Sequence, residues 1–120
     1  MHLQDSGERE QYVDGSAIRE PETGKGRYDL ISPIALHRLA VHYERGTKKY
    51  ADRNWEKGIP LSRLLSSAAR HLNKLIAGME DEDHAAAVAW NIFAFIHIKE
   101  MINRDKLSEG YNDLPEPMEL

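Results

Sequence analysis

An acid-rich turn, followed by a histidine, precedes the most apolar stretch of the chain. The turn is Glu80-Asp81-Glu82-Asp83-His84, and the apolar stretch continues through Trp90 and Asn91. Hard divalent cations such as Mg²⁺ and Mn²⁺ prefer carboxylate oxygens as ligands. On a helix, Asp81 and His84 would face one point because they are three residues apart. The pattern predicts a Mg²⁺ or Mn²⁺ site; the alternative is that these acids only favour the helix dipole.

Further ligands for this site must come from other helices, because helical bundles hold metals between side chains on facing helices. Glu44 lies just before Gly46, where a helix is expected to end and a cleft to begin. We predict these metal ligands: Glu44, His71, Asp81, Asp83, His84 and Asn91. Glu44, His71 and Asp83 are also predicted to be catalytic, since a carboxylate or an imidazole can position or deprotonate a water.

Residues 46–60 form a basic connection with two aromatic side chains. Long connections in compact domains are often functional. Cationic side chains neutralise phosphate, and aromatic rings stack on bases, so the connection suits a nucleotide. We predict that these residues bind substrate: Lys48, Lys49, Arg53, Asn54, Trp55, Arg63 and Arg70. With a metal nearby they would suit phosphoanhydride hydrolysis. The alternative is a solvated loop whose Tyr50 and Trp55 pack into the core.

Helix signals divide the chain into three main helices. Ser32-Pro33 is a helix start, and an apolar face follows over about 33–45. Pro60 and Ser62 open a second helix with a clear apolar face that continues to Ile76.

The third helix is expected over about 82–104 and is the most apolar of the three. Gly78 favours the end of the preceding helix, and either Asp81 or Asp83 is expected to cap the third. The chain is therefore predicted to be all-α, a compact bundle of about three main helices. We divide it into an irregular N-terminal arm (1–29), a helical domain (30–107) and a C-terminal tail (108–120).

Composition narrows the class of protein. The chain has 120 residues and no cysteine, which excludes disulfides, thiolate metal sites and thiol nucleophiles. Its net charge of −4 argues against binding of duplex nucleic acid. No apolar run approaches the roughly 18 residues of a membrane span, so we expect a cytoplasmic protein that does not contact membranes. The apolar circumference of the third helix predicts a homo-oligomer.

Several motifs occur in consistent order over about residues 15–103. They are Gly24-Lys25-Gly26-Arg27-Tyr28-Asp29-Leu30, Lys49-Tyr50, Arg53-Asn54-Trp55-Glu56-Lys57-Gly58, Ser62-Arg63, Arg70-His71-Leu72, Asp81-Glu82-Asp83-His84 and Trp90-Asn91. Together they resemble the phage-associated dATP/dGTP diphosphohydrolase domain family. The resemblance implies a helical, metal-dependent hydrolase of the phage-host cytoplasm that converts a purine deoxynucleoside triphosphate to its monophosphate and pyrophosphate, a reaction similar to that of MazG-like enzymes.

The chain departs from the MazG-like pattern at the first pair of metal ligands. MazG-like enzymes carry Glu-x-x-Glu on one helix, whereas Glu44 has Val41 three residues before it and Thr47 three after. A differently built site would use Glu44, His71 and the Asp83-His84 pair, which is loosely similar to HD-type phosphohydrolases. The alternative function is a non-catalytic phage protein that sequesters a nucleotide or a cyclic nucleotide.

Overall fold

The computed structural model describes residues 9–11 and 13–120. The chain divides into two units, the first ending at Ser32 and the second covering Pro33–Leu120. In the first unit, strands β1 (Glu10–Gln11) and β2 (Ile18–Arg19) pair antiparallel. A 3-10 turn follows over Tyr28–Leu30. The part of the predicted arm at 1–8 and 12 lies outside the described residues.

The second unit contains three α-helices, which confirms the predicted all-α class. They are α1 (Pro33–Gly46), α2 (Leu61–Ile76) and α3 (His84–Asn103). A 3-10 turn over Asn54–Lys57 interrupts the connection between α1 and α2. The predicted bounds are close to these, because apolar periodicity and cap residues specify helices directly.

Helix α3 is the central helix of this unit. It packs mainly on α2 and also on α1. The core cluster consists of Leu61, Leu64, Ala94, Ile98 and Ile102. Removing this apolar surface from water stabilises the unit by roughly 25 cal/mol per Å². The length of α3 and its mean hydropathy of 1.3 would also suit a membrane span. Its contacts with α2 and α1 are those of the core helix of a bundle.

The C-terminal segment packs on the same core. Leu107, Tyr111 and Leu114 contact the core cluster. The carboxylate of Asp113 accepts hydrogen bonds from the backbone N–H of Ser62, at 2.9 Å, and from its hydroxyl. These bonds lower the pKa of Asp113. Because the first N–H groups of a helix have no partner within it, Asp113 completes the start of α2 from a distant part of the chain.

Candidate functional site

The turn between α2 and α3 is fixed at both ends. Gly78 has φ of 76°, and the N–H of Met79 donates to the carbonyl of Lys74 at 3.0 Å, which ends α2 with a left-handed residue. At the other end, Asp83 is the N-cap of α3 and accepts from the N–H of Ala86 at 3.1 Å. The structure thus selects Asp83 over Asp81 as the cap. Glu80, Asp81 and Glu82 therefore lie in a turn whose two ends are fixed.

Two histidines meet in this turn. Nδ1 of His71, on α2, lies 3.0 Å from Nδ1 of His84, the first residue of α3. Nε2 of His84 lies 2.7 Å from a carboxylate oxygen of Asp81. Oε1 of Glu82 is 3.3 Å from Nδ1 of His71 and 3.7 Å from Nδ1 of His84. The two imidazoles and two of the turn's carboxylates therefore form one polar cluster.

This cluster lies partly inside the protein. The side chain of His84 is fully buried, whereas that of His71 is 20% exposed. Burial lowers the pKa of His71, and the nearby carboxylate of Glu82 partly opposes this effect. The hydrogen bond from His84 holds the pKa of Asp81 below its usual range. Asp81 is thus a carboxylate that can accept a hydrogen bond from Nε2–H of His84, and in that tautomer the imidazole lone pair is on Nδ1.

Asp83 has a different partner. Its carboxylate accepts two hydrogen bonds from the guanidinium of Arg38 on α1, one of them at 2.8 Å from Nε. This pairing lowers the pKa of Asp83. Arg38 thus engages both carboxylate oxygens, and Oδ1 also accepts from the N–H of Ala86 as the cap of α3. Asp83 therefore joins α1 to the start of α3.

A cleft of about 1060 Å³ opens beside this turn. Its lining comes from the end of α1, from most of residues 46–56, and from Glu82, Asp83 and Trp90. The acidic turn and the basic connection, far apart in sequence, therefore border one concavity.

Aromatic side chains form one wall of the cleft. The ring of Tyr43 lies 6.1 Å from those of Trp55 and Trp90, and His42 lies 6.0 Å from Trp90. Burial raises the pKa of Tyr43 and lowers that of His42. Trp55 also packs on the core, with an edge-on contact to His97 at 4.8 Å. Trp55 thus lines the cleft and also packs on the core; its predicted contact with substrate stays a prediction.

The comparison with known families agrees with these features. The sequence model for the N-terminal domain of dATP/dGTP diphosphohydrolases matches residues 16–108. The chain belongs to this family. The match spans all three helices, the cleft and the acidic turn, and it confirms the resemblance identified from the motifs. No curated protein and no solved structure matches the chain significantly.

The dATP/dGTP diphosphohydrolase family name indicates a hydrolase of deoxynucleoside triphosphates and suggests a divalent metal. Within the described part of the chain, one group of three histidine and acidic side chains could hold a metal ion: His71, Glu82 and His84. One ligand atom from each lies within 4.8 Å of the others. Its donors are two imidazole nitrogens and one carboxylate oxygen, a set that suits a divalent transition metal.

The structure distributes the other predicted site residues over several places. Glu44, Lys49, Arg53, Asn54, Trp55 and Asp83 line the cleft. Lys48, Arg63 and Arg70 are exposed and are not among its described lining residues. Arg70 donates to the hydroxyl of Ser66 at 3.2 Å. Asn91 is buried and donates to the carbonyl of Ala87 at 2.8 Å.

Four contributors to this region were not among the predicted site residues. Glu82 approaches both histidines, Arg38 pairs with Asp83, and Tyr43 and Trp90 form the aromatic wall. Glu82 was visible as one of four consecutive acids, and Trp90 as part of a family motif. Nothing in the local sequence pairs Arg38 with Asp83, because they are 45 residues apart and meet only through helix packing.

Proposed function

We propose that this diphosphohydrolase-family domain hydrolyses a purine deoxynucleoside triphosphate to its monophosphate and pyrophosphate. Water would attack the α-phosphorus, the bond between that phosphorus and the α–β bridging oxygen would break, and pyrophosphate would leave. The observation that carries the proposal is the cleft whose lining combines cations, carboxylates and aromatic rings. These are the groups that phosphates, a divalent ion and a base require.

The cations at the cleft would bind the phosphates. Lys49 and Arg53 both line it. Arg53 now pairs with Glu56 at 2.7 Å, and its side chain is 78% exposed. An exposed ion pair contributes little to stability, so a phosphate can replace the carboxylate of Glu56 at small cost. Arg53 has φ of 59°, which orients the 3-10 turn that begins with Asn54.

The aromatic wall would bind the base. Purines present a larger ring surface for stacking than pyrimidines, and Tyr43, Trp55 and Trp90 offer aromatic rings at one side of the cleft. Asn54, which also lines the cleft, carries an amide that can donate to and accept from a base edge. Preference for dATP and dGTP over pyrimidine substrates follows from this combination.

The divalent ion of the reaction would be Mg²⁺ or Mn²⁺ brought with the triphosphate. Mg²⁺ is usually held by one or two carboxylates together with substrate phosphates. Glu44 supplies a carboxylate at the cleft. The bound ion would neutralise charge on the leaving pyrophosphate. Glu44 would in addition position the attacking water.

The test is product analysis with each of the four deoxynucleoside triphosphates in the presence of Mg²⁺ or Mn²⁺. We expect pyrophosphate and monophosphate in equal amounts, faster with dATP and dGTP. Glu44→Gln should lower turnover by about a hundredfold or more, because it removes the carboxylate that positions water. Glu116→Gln, in the exposed C-terminal segment, serves as the control and should retain activity.

Intact nucleotide would contradict catalysis. Tight binding without pyrophosphate in any metal would instead support the alternative, a protein that sequesters a nucleotide or a cyclic nucleotide. That function requires affinity alone.

A further inference from the structure

The histidine cluster beneath the acidic turn has the geometry of a metal site. Nδ1 of His71, Nδ1 of His84 and Oε1 of Glu82 form a triangle with edges of 3.0, 3.3 and 3.7 Å. A point roughly 2 Å from all three atoms exists near its centre. That is the usual distance from Zn²⁺ to histidine nitrogen or carboxylate oxygen.

The surroundings of His84 favour this use of its Nδ1. Asp81 lies 2.7 Å from Nε2 on the opposite side of the ring. A carboxylate that accepts the distal N–H of a histidine fixes its tautomer and raises its basicity toward a metal. Because the side chain of His84 is fully buried, the direction of its Nδ1 lone pair is fixed as well.

The donor set selects a class of metal. Two imidazole nitrogens and one carboxylate oxygen suit Zn²⁺, Co²⁺ or Ni²⁺, whereas Mg²⁺ prefers oxygen and water in an octahedral arrangement. Three protein ligands leave at least one position for water or an oxygen of a ligand. Glu82 also borders the cleft, so an ion in the cluster would lie at the cleft's edge.

We propose that His71, Glu82 and His84 bind one divalent transition-metal ion, and that Asp81 positions His84 for this role. Nδ1 of His71 must lose its proton when the ion binds, because a metal ligand needs a free lone pair. The His71 ring then carries its proton on Nε2 instead. This site is separate from the Mg²⁺ or Mn²⁺ that would arrive with nucleotide, and it does not depend on hydrolysis.

The experiment is a metal titration of tag-free full-length protein after removal of bound metal by a chelator. Binding of Zn²⁺ is measured by calorimetry, and binding of Co²⁺ by its visible absorption, whose bands report nitrogen ligands. We expect one ion per chain, with little competition from a large excess of Mg²⁺. Zn²⁺ should also shift the nitrogen NMR resonance of Nδ1 in His84 rather than that of Nε2.

Variants locate the site. His71→Gln and Glu82→Gln should each weaken Zn²⁺ binding by at least about tenfold, because each removes a ligand. Both side chains are partly exposed, so these variants are expected to fold. Asp81→Asn should weaken binding by about 10- to 100-fold while the ligands remain. His37→Gln, an exposed histidine of α1, is the matched control and should bind as the unmodified chain does.

Three outcomes would overturn the proposal: wild-type Zn²⁺ affinity in His71→Gln or Glu82→Gln, an equal loss in His37→Gln, or equal binding of Mg²⁺ at the same concentration. Failure of nucleotide hydrolysis would leave these readouts unchanged, and a positive titration would not by itself establish hydrolysis. The two proposals can therefore fail independently.

Discussion

Three neighbouring acids have three different roles in the turn before α3. Asp81 accepts from His84, Glu82 approaches both imidazoles, and Asp83 caps the helix and pairs with Arg38. A residue in a turn does not follow helical periodicity, so a shift of one position changes its partner completely. The sequence predicted that this turn carries a site, yet it could not assign each carboxylate its role.

The role of Asp83 leads to a prediction about pH. Arg38 lowers the pKa of this carboxyl in the folded protein. A carboxyl whose pKa is lower in the folded chain contributes stability above its unfolded pKa, near 3.9, and the contribution is lost as the pH falls through the folded pKa. Asp83→Asn keeps a good cap but removes the ion pair. The stability difference between the two proteins should be largest near pH 7 and shrink below about pH 4.

Urea unfolding at a series of pH values measures this difference. Asp52→Asn, an exposed residue of the connection, is the control. Asp83→Ala should cost about 1 kcal/mol more than Asp83→Asn, because alanine cannot cap α3. A difference between wild type and Asp83→Asn that stays constant from pH 7 to pH 3 would show that the ion pair does not act in the folded state.

At the scale of elements, the helices were predictable and the segments that join them were not. Apolar periodicity and caps specify α1, α2 and α3 locally. By contrast, the C-terminal segment was predicted only as a tail, without any contact, and in the structure Tyr111 and Leu114 pack onto the core. That packing depends on contacts with Ser62 and other residues distant in sequence. The cleft likewise arises from helix packing, although the acidic turn and the basic connection that border it were each predicted to hold site residues.

The contact between the connection and the C-terminal segment predicts an effect of glycine replacement. Gly58 has φ of 122°, and a Cβ at this position would collide with the ring of Tyr111. Gly58→Ala should therefore destabilise the protein by more than about 1 kcal/mol. Gly46, at the end of α1, has open space around the same position. Gly46→Ala should be neutral or stabilising by up to about 1 kcal/mol.

Urea unfolding of the two alanine variants provides the comparison. In a Tyr111→Ala background, Gly58→Ala should cost less stability than it does in the unmodified protein, since the steric partner is then absent. Equal stabilities of Gly58→Ala and Gly46→Ala would contradict the role of this close approach.

In the part of the chain that the structure describes, few apolar residues are fully buried. Nine apolar residues are buried among those described, whereas α3 exposes Phe93 and Ile96 by 51% and 60%. Together with His97 and Met101, these two line a second depression of about 400 Å³, bordered by Glu100 and Arg104. An apolar surface with a charged rim is typical of a protein–protein interface.

We expect a second copy of the chain to cover this surface, because one patch can meet its own copy across a two-fold axis. The physical reason is that α3 is apolar around its circumference, and α1 and α2 cover only part of it.

Light scattering coupled to size exclusion should give a mass above that of one chain, 13.7 kDa, over a wide range of concentration. Phe93→Lys combined with Ile96→Lys should yield the monomer, because both copies would bring buried charge into the contact. Met118→Lys, at a residue 71% exposed in the C-terminal segment, should leave the mass unchanged. A monomeric mass for the unmodified protein at high concentration would contradict this assembly.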